Sequence, residues 1–272
     1  MKAAIYIGKK GIESEERMER IFSELEEGGC ELHFLSEGEK PGQGTDMLLS
    51  IGGDGTFLSA SSLVAGTDVP VLGVNAGRLG FLSENRPEDI AKAILSGDYT
   101  IENRTMLKAD VASGNPMIDA WPYALNEVAV HRSGAAMLGV DVVIDGIHLP
   151  TYWADGLVIS TSSGSTAYSL SVGGPIVLPE SKVLIISPIA PHNLNIRPLV
   201  IPDTSQIVMK MHSRDGRFVL TADNRTAEVA EDTIVKVAVA QFSLKRVRLN
   251  RSNFINALTE KLFWGEDIRN IR

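Results

Sequence analysis

The chain has 272 residues, 44% hydrophobic and 22% charged, with a net charge of −8 at pH 7. That length holds one large domain or two modest ones of ordinary globular composition. The acidic balance argues against a nonspecific nucleic-acid binder and against a basic membrane-surface helix, and a single cysteine, Cys30, excludes an intrachain disulfide framework.

The first apolar stretch, Met1–Gly8, is too short for a signal peptide and reads as a strand. No segment has the apolar length of a transmembrane helix. With the lone cysteine, these features predict a cytoplasmic protein. Ser14 is placed to cap a helix whose apolar face is Met18, Ile21, Phe22 and Leu25, spaced i, i+3, i+4, i+7. Gly28-Gly29 ends it. Glu31–Leu35 and Asp46–Ile51 read as strands, a helix follows Thr56, and Pro70–Val74 is a further strand. Pro87 opens a helix over Glu88–Leu95 that Gly97 closes. Strand and helix alternating at this spacing predict an α/β domain over residues 1–103 with a parallel sheet and helices on its faces.

From Asn103 to about Leu249 the pattern is mostly strands. Asp145-Gly146 sits between apolar alternations and predicts a hairpin. Asp215-Gly216 predicts another, joining Gln206–Met211 to Arg217–Thr221. Gly164–Val172 predicts a short helix inside this β-rich part. Asn253–Trp264 is helical, with Phe254, Ile255, Leu258 and Leu262 on one side. Residues 253–272 are expected to pack back on the first domain, leaving 104–252 as the second.

Several common signatures are absent. The sequence has no G-x-G-x-x-G, Walker A, H-E-x-x-H, paired C-x-x-C or G-x-S-x-G. It does have Ile51-Gly-Gly-Asp-Gly-Thr56, fed by an apolar run and followed by an apolar helical pattern. Gly52, Gly53 and Thr56 supply a sharp turn whose amides, with the helix start, favour phosphate. Asp54 in its midst suggests phosphoryl transfer to a hydroxyl. The plainer reading is a tight turn with Asp54 as helix cap. A second glycine loop, Val74–Leu82, also follows an apolar strand, and both loops fall at strand carboxyl ends, where open α/β sheets bind ligands.

Asn126-Glu127 interrupts the apolar Ala124–Val130. An acid buried there has a structural partner or faces a ligand hydroxyl. Asp155–Pro175 runs from strand into a hydroxyl- and glycine-rich turn and a short helix. That chemistry suits the edge of a purine and its ribose. Tyr168 stacks on a base, or belongs to the core.

Taken together, Gly52–Thr56, Asn75-x-Gly-x-Leu-Gly-Phe-Leu82, Arg104-x-Met-Leu107, Asn126-Glu127 and Asp155–Pro175 resemble, in this order and over nearly the whole chain, the NAD kinases of bacterial and archaeal type. The Gly-Gly-Asp-Gly element alone is shared with diacylglycerol, sphingosine and phosphofructo-kinases. Asn126-Glu127 and Gly164–Ser171 narrow the match.

The resemblance implies an α/β + β fold: an amino-terminal α/β domain, a β-sandwich-like second domain and a tail returning to the first. It also implies Mg²⁺-dependent phosphorylation of the 2′-hydroxyl of NAD's adenosine ribose by ATP or another phosphate donor, in a homodimer or homotetramer. Asp54 would be the base or orienter of that hydroxyl. Gly55 and Phe81 would line the adenosine site. Asn126, Thr166, Ala167 and Tyr168 would hold adenine, and Asn75, Ser163 and Ser171 would also contact substrate. Glu127 and Asp155 would lie toward the nicotinamide-side ribose. Two departures stand out. Thr161-Ser-Ser-Gly164 replaces the family's Thr-Pro-Thr-Gly, with Ser163 keeping a hydroxyl. Asp223-Asn224 replaces a late Asp-Gly, with Asn224 expected to take the positive φ. A lipid kinase or a dinucleotide sensor without donor binding are the alternatives. The first lacks an exposed apolar loop, and the second does not explain an intact Asp54 loop.

Overall fold

The computed structural model describes residues 1–9, 11–36, 38–77, 80–250 and 253–263. The chain divides into two compact units, Met1–Asn103 with Leu244–Arg272, and Arg104–Ser243. In the first unit, strands β1 (Lys2–Ile7), β2 (Glu31–Phe34), β3 (Met47–Gly52) and β4 (Val71–Asn75) are accompanied by helices α1 (Glu16–Glu27), α2 (Asp54–Leu63) and α3 (Pro87–Ser96). The strands are parallel in the order β4-β3-β1-β2. Every residue of β3 and β4 is buried, as expected of parallel strands covered on both faces.

Local sequence accounts for the helices. α1 buries Met18, Ile21, Phe22 and Leu25. Its N-cap is Glu15 rather than Ser14, because Ile12–Ser14 forms a 3-10 turn that delays the start. α3 has Pro87 in its first turn and closes on Gly97 at φ +71°. These faces meet the sheet in one core that includes Met18, Leu49, Ile51, Leu72, Val74, Ile90 and Val247.

From Tyr99 onward the elements are β5 (Tyr99–Val111), α4 (Pro116–Asp119), β6 (Tyr123–Ala124), β7 (Glu127–Arg132), β8 (Leu138–Ile144), β9 (Ile147–His148), β10 (Tyr152–Ala154), β11 (Gly156–Thr161), α5 (Tyr168–Ser171), β12 (Val183–Ile189), β13 (Leu199–Pro202), β14 (Ile207–His212), β15 (Arg217–Ala222), β16 (Arg225–Ala230), β17 (Ile234–Leu249) and α6 (Phe254–Leu262). The second unit holds two antiparallel arrays, β10-β8-β14-β17 and β13-β12-β11-β7-β15-β16. Alternate residues of both, among them Val140, Val142, Met209, Val128, Val130, Leu157, Ile159 and Phe218, form a single core. This is a sandwich built on period-two side-chain alternation. Among the described residues no helix is long and apolar enough to cross a membrane.

Three sequence expectations differ in detail. Asp145 (φ +50°) and Gly146 (φ +84°) do turn β8 into β9. Asp215-Gly216, however, does not close a hairpin: β14 pairs with β8 and β17, whereas β15 pairs with β7 and β16. The turn carries the chain from one sheet to the other, which a turn dipeptide alone does not distinguish. The helix expected over Gly164–Val172 is broken at Ala167, where ψ is −130°, into a 3-10 turn (Ser163–Thr166) and α5.

The third difference concerns α6, which buries Ala257 and Leu258 while Ile255 and Leu262 are exposed. Half-buried Phe254 and Lys261 complete the inward face at i, i+3, i+4, i+7. Lys261 takes the slot expected of Leu262. Trp264 and the rest of the tail lie outside the described residues.

β17 ends in the first unit beside β4, with Arg246 opposite Val71. Arg246 and Glu84 form an ion pair at 2.6 Å, only 3% and 9% exposed. Arg246 Nη2 also approaches the carbonyls of Phe81 and Leu82 at 3.4 Å. Removing one partner of a buried pair strands the other charge and costs about 3–5 kcal/mol. Arg246→Met is therefore expected to lower the urea midpoint strongly. Adding Glu84→Gln restores part of the loss, and equal midpoints for Arg246→Met and wild type would refute this role.

Candidate active site

In the first unit, β3 ends at Gly52, Gly53 is the N-cap of α2, and Asp54 is its first residue. Asp54 therefore follows the N-cap and is not itself the capping residue. Its Oδ2 accepts the Phe81 N–H at 2.8 Å, and Oδ1 accepts those of Leu82 and Ser83, each at 2.9 Å. Asp54 thus ties one glycine loop to the other. Gly80 permits the approach, since a Cβ there would lie 1.9 Å from Asp54 Oδ1. A carboxylate has about four lone-pair sites, so three amides leave room for one further donor.

The neighbouring candidates gather around this link. Gly55 and Thr56 lie in the first turn of α2, and the Thr56 side chain fills the space that a Cβ on Gly52 would need. Asn75 ends β4, and its Oδ1 accepts the Gly77 N–H at 2.6 Å. Arg78 and Leu79 of that loop lie outside the described residues. The half-buried Phe81 ring has its centroid 6.2 Å from that of Phe254.

The sequence reading missed Lys261. Its Nζ stands 4.3 Å from the Phe81 ring centroid. The nitrogen is buried and has no hydrogen-bond partner among the described residues. Burial lowers its pKa, against the opposing pull of Glu84 and Asp54. A helical count of i+7 from Phe254 was the available signal.

In the second unit, Asp223 repeats the arrangement of Asp54. Its carboxylate accepts the N–H groups of Leu125 (2.7 Å), Asn126 (2.8 Å) and Glu127 (3.2 Å). Its own N–H donates to the Glu127 carbonyl at 3.0 Å. Asp223, not Asn224, takes the positive φ, +50°, in the turn between β15 and β16. Burial pushes the Asp223 carboxyl up, while the three amides and Arg225 pull it down. Arg225 donates to the carbonyls of Trp121 and Tyr123.

Asp223 thereby positions Asn126-Glu127, and the turn after β11 packs onto the same segment. Thr161 donates from its N–H to the Asn126 carbonyl at 2.9 Å and from Oγ1 to that of Leu125 at 2.6 Å. Gly164 lies so close that a Cβ would be 2.1 Å from the Asn126 oxygen. Burial, then the charge of Asp223, pushes the Glu127 carboxyl up to about 8, opposed by the Tyr168 N–H bound to it. The proton belongs on Glu127, which has one amide where Asp223 has three. Glu127 Oε2 and Ser163 Oγ are buried with no hydrogen-bond partner among the described residues, a pairing that favours a polar ligand.

Tyr168 opens α5 and stacks on His131, with centroids 5.6 Å apart and planes at 17°. It is neither in the core nor free on both faces. Thr166 and Ala167 lie at the break before α5, and Ser171 is exposed at its end. Asp155 pairs with Arg132 at 2.8 Å.

Residues 36–97 match the family model of the ATP-NAD kinase N-terminal domain. Residues 125–249 match that of the ATP-NAD kinase C-terminal domain. An NAD kinase of Flavobacterium psychrophilum is 44% identical over 229 residues, covering 83% of this chain and 78% of its own. The chain belongs to the NAD kinase family. An NAD kinase of Bacteroides fragilis is 43% identical over 228 residues, covering 82% of this chain and 78% of its own. Among solved structures, an NAD kinase from Archaeoglobus fulgidus in complex with ATP has a TM-score of 0.79 at 25% identity, covering 97% of this chain and 99% of its own. Yeast NADH kinase complexed with NADH shares the fold, with a TM-score of 0.84 at 23% identity over 100% of this chain and 90% of its own.

The two family matches contain both aspartate-held loops, whereas Lys261 lies beyond them. In this member of the NAD kinase family the buried Glu127 also sets a pH dependence. The unfolded chain releases this proton near pH 4.5 and the folded chain near 8. The folded state therefore holds the extra proton between those values, and stability falls as pH rises through that window. Glu127→Gln, which mimics the protonated acid, is expected to flatten the decline of melting temperature from pH 5 to 8. An unchanged slope would place the proton elsewhere.

Proposed function

We propose that this chain transfers the γ-phosphoryl group of ATP to the 2′-hydroxyl of the adenosine ribose of NAD, producing NADP and ADP. The observation carrying this reading is Asp54, an acid at a strand terminus with three amides fixing it and one acceptor site left over. That site accepts the 2′-hydroxyl's hydrogen bond and aims the oxygen at phosphorus. The bond from phosphorus to the bridging oxygen of ADP breaks as the bond to the 2′-oxygen forms, and the hydroxyl proton leaves by way of Asp54. Such a transfer has a loose transition state, so alignment and charge neutralisation outweigh proton removal.

Gly52, Gly53 and Thr56 hold phosphate in this scheme, and Gly55, Asn75 and Phe81 border the adenosine. Asn126, Ser163, Thr166, Ala167, Tyr168 and Ser171 bind the adenine end of NAD, with Glu127 and Asp155 toward the second ribose. Family relatives named NAD kinase support the reaction. A divalent cation, Mg²⁺, completes it. Among the described residues no group of three or more His, Cys, Asp or Glu side chains is placed to hold a metal. The cation would be held by the phosphates and water, and when bound would neutralise triphosphate charge. The family resemblance favours a homodimer or homotetramer, and the lone Cys30 favours a reducing cytoplasm.

The test is a coupled assay: NAD, ATP and Mg²⁺, with NADP read by an NADP-specific dehydrogenase. Asp54→Asn keeps size but loses the charge and one acceptor oxygen. It is expected to cut kcat by at least about 100-fold, with NAD affinity within a few-fold. Turnover near wild type would sink the role of Asp54. NAD binding without any NADP formation by wild type would favour the sensor.

A further inference from the structure

We propose that the Lys261 ammonium binds the phosphoryl group undergoing transfer at the Asp54 centre, and so also the 2′-phosphate of the product. This rests on the reading under Proposed function. Lys261 is on the buried face of α6, in the position next to exposed Leu262. Its Nζ is withdrawn from water over the face of Phe81, the residue whose N–H binds Asp54 Oδ2. No hydrogen-bond partner receives it among the described residues.

Taking an ammonium out of water without a hydrogen-bond acceptor is costly. The Phe81 ring offsets part of this through its negative face, and leaves the three N–H groups without an oxygen. Arg246, a second buried cation, pairs with Glu84 and Glu102, and its Nε too lacks a partner among the described residues. Lys261 differs in having its whole ammonium without a hydrogen-bond partner among those residues, over the ring of the residue whose N–H binds Asp54. Burial also weakens its hold on its proton, while Asp54 and Glu84, with Glu260 behind them, favour the charged form and Arg246 opposes it.

A cavity of about 180 Å³ also borders Lys261, with Arg86 as well as Glu84, Asp89 and Glu260 in its lining. Glu84 is neutralised by Arg246, but Asp89 and Glu260 outnumber Arg86, so the phosphoryl group is assigned to the Phe81 side. Phosphoryl transfer spreads charge over the three equatorial oxygens of the moving group, and a preorganised, dehydrated ammonium stabilises that charge at little reorganisation cost.

The experiment compares wild type, Lys261→Met and Lys261→Arg by steady-state kinetics and by equilibrium binding of NAD and NADP, with melting curves confirming folding. Lys261→Met keeps the apolar stem and loses the charge. It is expected to lower kcat by about 100-fold and to weaken NADP by about tenfold or more, with NAD changed by less than about threefold. Lys261→Arg retains the charge and is expected to keep most of the NADP preference. A lysine that merely props Phe81 predicts equal loss of NAD and NADP affinity in Lys261→Met, and that result would overturn the proposal. Failure of wild type to make NADP counts against the reaction instead, because the binding comparison stands without turnover.

Discussion

A carboxylate that gathers three consecutive backbone amides occurs once in each unit and holds a segment of candidate residues in place. Asp54 collects those of Phe81, Leu82 and Ser83, and Asp223 those of Leu125, Asn126 and Glu127. Hydrogen bonds to a charged acceptor are each worth about 1.5–3 kcal/mol, enough for three to fix a short segment. The candidate segments inherit their geometry from these links. Gly80 and Gly164 are small because their neighbours, Asp54 and the Asn126 backbone, come too close for a side chain.

Charge within each unit depends on the same links. Asp223, loaded with donors, leaves neighbouring Glu127 as the group that keeps its proton. Arg246, buried and paired, underlies the Phe81 loop from the opposite side to Asp54's amides in hydrogen-bonding terms: it addresses the carbonyls, while the aspartate addresses the N–H groups. Both polar edges of one short loop are thereby engaged by side chains, which rigidifies the segment.

Much of this was legible in the sequence where periodicity and glycine chemistry are local. The apolar face of α1, the all-buried β3 and β4, the Asp145-Gly146 turn and the two glycine loops can all be read from spacing. The family resemblance named the residues of both loops. What escaped depends on long-range contact. Asp54 kept a plainer reading as a cap because its partners lie 27 to 29 residues away. Asp215-Gly216 looked like a hairpin because sheet membership is a tertiary property. Asp223 was placed in a turn without its role, since its amide partners are nearly a hundred residues upstream. Lys261 was passed over because an apolar residue stood next to it, and hydrophobicity alone set the expected face of α6.

The register of α6 carries a consequence for how this tail can change. Each residue added to or removed from a helix rotates its later residues by about 100°. One insertion between Asn253 and Lys261 would bring Glu260 toward the Phe81 face, and one deletion would bring Leu262. The first substitutes an anion for a cation close to Asp54, the second a hydrocarbon. Length variation in this segment is therefore constrained to steps near a whole turn, and the tail's spacing is held by chemistry as firmly as by packing.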